Sequence, residues 1–260
     1  MKALWIPKVE AYIRFHDLPG DEPALVFLHG LGSASSADFP SITHRQGLSR
    51  YRCILPDFFG FGFSDRPDNF EYSLQAHAQT IFEIINYLNL SDVNLFGHSM
   101  GGAIAIALTA AHPQLVGRLV IAEANLDPGK GQASKAIASQ PEYDYVTNGH
   151  DRFLASIRQG IRDEPGLSVY AGALEIADPK AMYKSAVGLI RGTLPAQREL
   201  FLSMKIPRAF IFGENSLPDP DVDILRSAGI NVLIVPQAGH AMMLDNPDGF
   251  ALALLQSFQI

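Results

Sequence analysis

The chain has one cysteine, Cys53, among 260 residues, so no disulfide forms within it. Cys53 opens a short apolar run, 53–55, and is expected to be a buried thiol rather than a reactive one. No Cys/His cluster has zinc-site spacing, and no metal is expected. Basic residues are few, 20 Lys and Arg against 27 Asp and Glu, for a formal charge of −7. No basic run is present, which excludes a nucleic-acid surface. No apolar run is long enough to span a bilayer, and residues 1–7 are too soon interrupted by Pro7 to act as a secretory signal. A cytoplasmic protein with no membrane partner is therefore expected. Internal repeats and low-complexity tracts are missing as well.

What is present is apolar. Hydrophobic residues make up 47% of the chain and charged ones 18%, enough for a large core in one α/β domain carrying an insertion. Short runs apolar on both faces recur at 24–28, 52–56, 93–96, 119–122, 209–212 and 232–235, as buried parallel strands require. Residues 9–16 alternate less cleanly and read as an antiparallel edge strand turning at Pro19-Gly20. Helical patterns lie between the runs. Residues 74–88 put Leu74, Ala78, Ile81, Ile85 and Leu88 on one face, with Ser73 as N-cap. Residues 103–111 continue in the same way, and Asn246 and Pro247 open a last helix. This alternation predicts a doubly wound, mostly parallel sheet.

The alternation breaks at Asp127-Pro128-Gly129 and resumes near Ile206-Pro207. Within the gap, 153–161, 169–176, 181–190 and 196–204 read as helical pieces punctuated by Pro141, Pro165, Pro179 and Pro195. Residues 1–127 and 206–260 are expected to form the core, and 128–205 a helical cap inserted between strands. A purely decorative insertion of this length is uncommon in a compact domain.

The polar residues of interest all follow the apolar runs, at the edge where open α/β sheets bind ligands. Gly97-His98-Ser99-Met100-Gly101 stands between a strand and a helix, with Ser99 at the tip of the turn. Gly97 and Gly101 must lack side chains for strand and helix to approach. The turn lifts the Ser99 hydroxyl out of the sheet, near a helix N-terminus that favours a developing anion. A free hydroxyl is a poor nucleophile and needs a base. His240, after the last run and preceded by Gly239, follows the serine in the order expected of a triad. His29-Gly30-Leu31-Gly32 closes another run as a flexible loop, and the N–H groups of Leu31 and Met100 are the expected oxyanion donors. His29 is expected to order that loop rather than transfer protons. His98 is expected to point into the fold, away from the serine. His16, His44, His77, His112 and His150 have no such placement.

Four motifs in sequence carry a family likeness: His29-Gly30-Leu31-Gly32, Asp57-Phe58-Phe59-Gly60-Phe61-Gly62-Phe63-Ser64, Gly97-His98-Ser99-Met100-Gly101-Gly102 and Gly239-His240. Through them the chain resembles the α/β-hydrolase fold superfamily, in its lid-bearing serine hydrolase branch, over essentially its whole length. The resemblance implies a serine–acid–histidine triad under a helical cap, no cofactor, and a structural role for Asp57, Gly60 and Gly62. Serine at position 99 argues against haloalkane dehalogenases and epoxide hydrolases, which the chain resembles elsewhere.

The acid departs from the family pattern of Gly, two residues, then Asp. Here Gly213-Glu214-Asn215-Ser216 puts serine in that place. Glu123 is preferred, because it ends a strand directly and a strand end holds a carboxylate firmly. Asp219 or Asp221 further along the usual loop, and Glu214 before it, stay open. So does a reading in which Glu123 caps the hinge and the site, lacking a strong acid, is slow. The expected reaction is attack by Ser99 and then water on a small, mostly apolar carboxylic ester, through an acyl-enzyme. Two rivals are a cofactor-free C–C bond hydrolase using the same triad and a ligand-binding sensor on a hydrolase scaffold.

Overall fold

A computed structural model describes residues 1–164 and 166–258. Its strands are β1 (Lys2–Ile6), β2 (Ala11–Leu18), β3 (Asp21–Leu28), β4 (Tyr51–Asp57), β5 (Val93–His98), β6 (Val116–Ala122), β7 (Arg208–Gly213) and β8 (Asn231–Val235). They form one eight-stranded sheet in the order β1-β2-β4-β3-β5-β6-β7-β8. β2 runs antiparallel to both β1 and β4; every other neighbouring pair is parallel. The apolar runs became strands, and β5, in the middle of the sheet, has no exposed residue; the exception to full burial is β8, the far edge, where only Val235 is buried.

β2 is antiparallel as expected, but it is not the edge. β1 covers it, pairing Lys2 with Phe15 and Ile6 with Ala11. β1 is five residues long and mostly exposed, and its short apolar run, 3–6, stands outside the expected strands.

The Leu74–Tyr87 helix begins where Ser73 Oγ accepts the Ala76 N–H at 3.2 Å. The Pro247–Phe258 helix begins where Asn246 Oδ1 accepts the Gly249 N–H at 2.9 Å. Helices cover both faces of the sheet. On one, Ile81, Ile85, Ile104 and Leu108 pack with Val26, Leu28, Leu95 and Ile121. On the other, Phe250 and Leu254 pack with Phe27, Phe39 and Phe96. Burying each such side chain contributes about 1.5–3 kcal/mol.

Between β6 and β7 the chain is helical: Gln132–Ala138, Glu142–Asp144, a π-helical turn at Tyr145–Gly149, then His150–Gly160, Leu167–Glu175, Pro179–Arg191 and Gln197–Ser203. The last four match the expected pieces within a few residues. The earlier segments, 132–149, were not expected. They are short, and few of their residues are buried. Pro165 lies outside the described residues. The stretch after β7 also holds an unexpected helix, Asp221–Ser227.

Candidate active site

The turn after β5 is as tight as its glycines imply. A Cβ on Gly97 would lie 2.4 Å from the Gly101 carbonyl oxygen, and one on Gly101 would lie 2.3 Å from that of Leu28. Ser99 has φ 52° and ψ −116°, a conformation that costs about 1–3 kcal/mol for a residue with a side chain and persists only where its surroundings impose it. They do so here. Its N–H donates to the Ala122 carbonyl at 2.8 Å, and its carbonyl accepts from Gly102 N–H at 3.0 Å. The Met100–Ala111 helix starts at the next residue, so the Met100 N–H is among the amides an α-helix leaves unbonded at its start.

The loop after β3 is held by His29. This buried ring donates from Nδ1 to the Gly30 carbonyl at 2.8 Å and accepts the Phe58 N–H on Nε2 at 3.1 Å. Burial lowers its pKa to about 4, against the opposing pull of the Asp57 charge, and the neutral ring has the one donor and one acceptor these bonds need. The Gly30 carbonyl also accepts the Ser33 N–H at 3.2 Å. In a trans peptide N–H and C=O point opposite ways, so the Leu31 N–H faces away from the His29 ring. The loop runs beside the serine: a methyl on Gly30 would lie 3.4 Å from Ser99 Cβ. The hydroxyl of Tyr170, from the Leu167–Glu175 helix, donates to the Leu31 carbonyl at 3.1 Å.

Glu123 follows β6, the neighbour of β5, and also has a positive φ, 52°. Its Oε1 accepts the Gly213 N–H at 2.8 Å, and its Oε2 lies 3.3 Å from His240 Nδ1. Burial raises the Glu123 carboxyl, but the hydrogen bonds from His240, Gly213 and Ser216 outweigh it and leave the pKa below its ordinary value. Ser216, at the position where the family pattern has its aspartate, thus supports the carboxylate on the adjacent strand. The pair is asymmetric: the Glu123 side chain is 10% exposed and that of His240 58%.

The other acids point elsewhere. Glu214 Oε2 accepts the Gln237 N–H at 2.8 Å, and Asp219 Oδ1 accepts the Asp221 N–H at 2.7 Å. Asp221 receives Arg198 at 2.8 Å. His98 is buried as expected, and its Nε2–H donates to the His240 carbonyl at 2.7 Å. Asp57 ties down its turn, accepting from Ser36 N–H and Oγ and from Phe63 N–H at 2.7–3.0 Å. The Cys53 thiol is buried, which pushes its pKa up to about 12. Sequence reasoning gave no part to Tyr170 or to the Ser216 hydroxyl. The family departure marked the second; nothing marked the first.

Among the described residues no group of three or more His, Cys, Asp or Glu side chains is arranged to hold a metal ion. Nor is any helix there long and apolar enough to cross a membrane. An open groove of about 390 Å³ beside Glu10 and Arg66 and another of about 540 Å³ beside Trp5 and Tyr87 include none of the site residues.

A family model described as alpha/beta hydrolase fold matches residues 23–247, and with them both glycine turns, Glu123 and His240. The chain belongs to the α/β-hydrolase fold family. An uncharacterized protein of Mycobacterium tuberculosis is 34% identical to it over 116 residues, 45% of this chain and 33% of the relative. The chain therefore spans about a third of that relative's length. Haloalkane dehalogenase 2 of the same organism is 26% identical over 272 residues, covering 98% of this chain and 94% of its own. In the family's fold, a thermophilic esterase from Thermogutta terrifontis superposes with a TM-score of 0.84 at 17% identity, over 100% of this chain and 98% of that one.

Proposed function

We propose that the protein is a serine hydrolase that cleaves small, mostly apolar carboxylic esters through an acyl-enzyme on Ser99. One observation carries this reading: the Glu123 carboxylate faces His240 Nδ1 at 3.3 Å, at the sheet edge where the strained turn of the neighbouring strand presents Ser99. A carboxylate on Nδ1 keeps the proton there and leaves Nε2 as the base.

In the proposed cycle Ser99 Oγ attacks the ester carbonyl and His240 takes its proton. The Leu31 and Met100 N–H groups bind the oxyanion, each worth roughly 100- to 1000-fold in rate. The intermediate collapses, the ester C–O bond breaks, and His240 returns the proton to the departing alcohol. Water then gives a proton to His240, adds to the acyl carbon and releases the acid, with Ser99 regaining its hydrogen. Halide displacement from an alkyl carbon suits this site poorly. It would leave an ether on Ser99, which water does not cleave as it cleaves an acyl ester.

We read residues 128–205 as a lid over a core of 1–127 and 206–260. Supporting this, Tyr170 Oη, Met182 Cε and Leu174 Cδ1 converge on Gly32, lying 2.9–3.1 Å from where its Cβ would be. That ceiling is mainly aliphatic and favours an apolar acyl group. A lone buried thiol suits a reducing cytoplasm.

The test is p-nitrophenyl ester hydrolysis by the unaltered protein and Ser99→Ala. The variant should keep its circular dichroism and lose at least about 1000-fold in kcat/KM; undiminished cleavage would refute the assignment. Faster turnover of vinylogous diketones than of esters would favour a C–C bond hydrolase. Tight ligand binding with no fluorophosphonate labelling would favour a sensor.

A further inference from the structure

We infer that His98 is a positioning residue for His240, holding the base's backbone carbonyl through its Nε2–H. The inference rests on the reading of Ser99 and His240 as nucleophile and base.

His98 is the last residue of β5 and the immediate neighbour of Ser99. The residue is 6% exposed, and its ring lies 4.9 Å, centroid to centroid, from that of His240. The Nε2···O distance of 2.7 Å links residues 142 apart in the chain. A carbonyl only accepts, so Nε2 carries the proton and Nδ1 a bare lone pair. Nδ1 is buried, has no hydrogen-bond partner among the described residues, and faces Gly30, where a methyl would lie 3.1 Å away. Burial, with the His240 charge adding to it, lowers the His98 pKa to about 3, so the ring stays neutral and keeps this tautomer.

His240 needs such a hold. Its imidazole is more than half exposed and meets the protein's polar groups at Glu123 alone among the described contacts. The loop before it is pinned at the Ala238 carbonyl by Asn215 N–H, at 2.8 Å, and at Gly239 N–H by Asp245 Oδ2, at 2.9 Å. The His98 bond adds the anchor at His240 itself. It also ties that anchor to the strand end that carries the nucleophile, so base and nucleophile share one rigid reference. A displacement of about 1 Å in such a pair costs on the order of 100-fold in rate.

The test compares His98→Gln, whose amide N–H reaches about as far as Nε2, with His98→Met, which has no donor. The rate of Ser99 labelling by a fluorophosphonate is measured in each, with and without His240→Ala, alongside kcat and KM on a p-nitrophenyl ester. H98M should label and turn over roughly 30- to 100-fold more slowly at nearly unchanged KM, with H98Q within about fivefold of the parent. In the H240A background H98M should cause no further loss, because its effect passes through the base. An equal loss in that background would mean that His98 merely shapes the serine turn, and would overturn the proposal. So would parental labelling by H98M. Absence of Ser99 labelling in the unaltered protein would instead overturn the nucleophile reading. His98→Asn, whose amide stops short of the carbonyl, repeats the comparison if H98M does not fold.

Discussion

The Glu123 carboxylate joins two strand ends: Oε1 accepts the Gly213 N–H at 2.8 Å, and Oε2 lies 3.3 Å from His240 Nδ1. The carboxylate follows β6, yet it is gripped by the end of β7, the strand after which the family pattern carries its acid. One carboxylate thus bonds the end of β7 and faces the His240 ring at the same time.

Glu123→Gln should lower kcat about 100- to 10,000-fold, because a neutral amide sets the wrong tautomer and does not stabilise the imidazolium. Glu214→Gln and Asp219→Asn should stay within about threefold, since each carboxylate caps local backbone. Ser216→Ala should cost about tenfold through the lost hydrogen bond to Glu123. Steady-state kinetics on one ester ranks all four, and a larger loss in D219N than in E123Q would reassign the acid.

Tyr170→Phe removes only the hydroxyl that holds the Leu31 carbonyl at 3.1 Å. The donor loop should loosen, and kcat should fall roughly tenfold with KM little changed, as for an interaction that matters in the transition state. A rise in KM at constant kcat would mean that Tyr170 contacts substrate without ordering the loop.

Gly97→Ala and Gly101→Ala each force a methyl to within 2.4 Å of a backbone oxygen. Each should destabilise the protein by about 1–3 kcal/mol or more and distort the Ser99 turn. Thermal melts and ester assays should therefore both register the change, with activity lost even where folded protein is recovered.

Asp38 is buried and accepts the Ser33 hydroxyl at 2.7 Å. Burial raises its pKa from 3.8 to about 7, with the Ser33 bond opposing and the Asp57 charge adding. Between these values the folded chain holds a proton that the unfolded chain has released, so this group's contribution to stability falls as pH rises from about 4 to about 7. Asp38→Asn keeps the acceptor and removes the ionisation. Its Tm should exceed the parent's at pH 8 and approach it at pH 4; a gap that widens toward acid would contradict the assignment.

The parallel strands and the Ser99 turn were legible because their signals are local. An apolar run on both faces marks a buried strand, and two glycines flanking a serine mark a turn that no larger residue fits. The Ser73 and Asn246 caps were legible for the same reason. β1 was not, although residues 3–6 are apolar, because a run of four that stays mostly exposed is held in the sheet by its pairing with β2, not by burial of its own faces. Tyr170 escaped as well, since a tyrosine in a helix resembles any amphipathic position until that helix is laid on the loop after β3.

By itself the sequence determined the α/β alternation, the helical stretch between two of the strands and the order of serine and histidine, because burial patterns and turn chemistry are set by residues near one another in the chain. Tertiary structure decided which carboxylate meets His240. Glu123 lies 117 residues from that histidine, and their encounter depends on β6, β7 and β8 lying side by side in register. It also set the bond from His98 to His240, for the same physical reason: contacts between strand ends follow from strand order, which no local segment encodes.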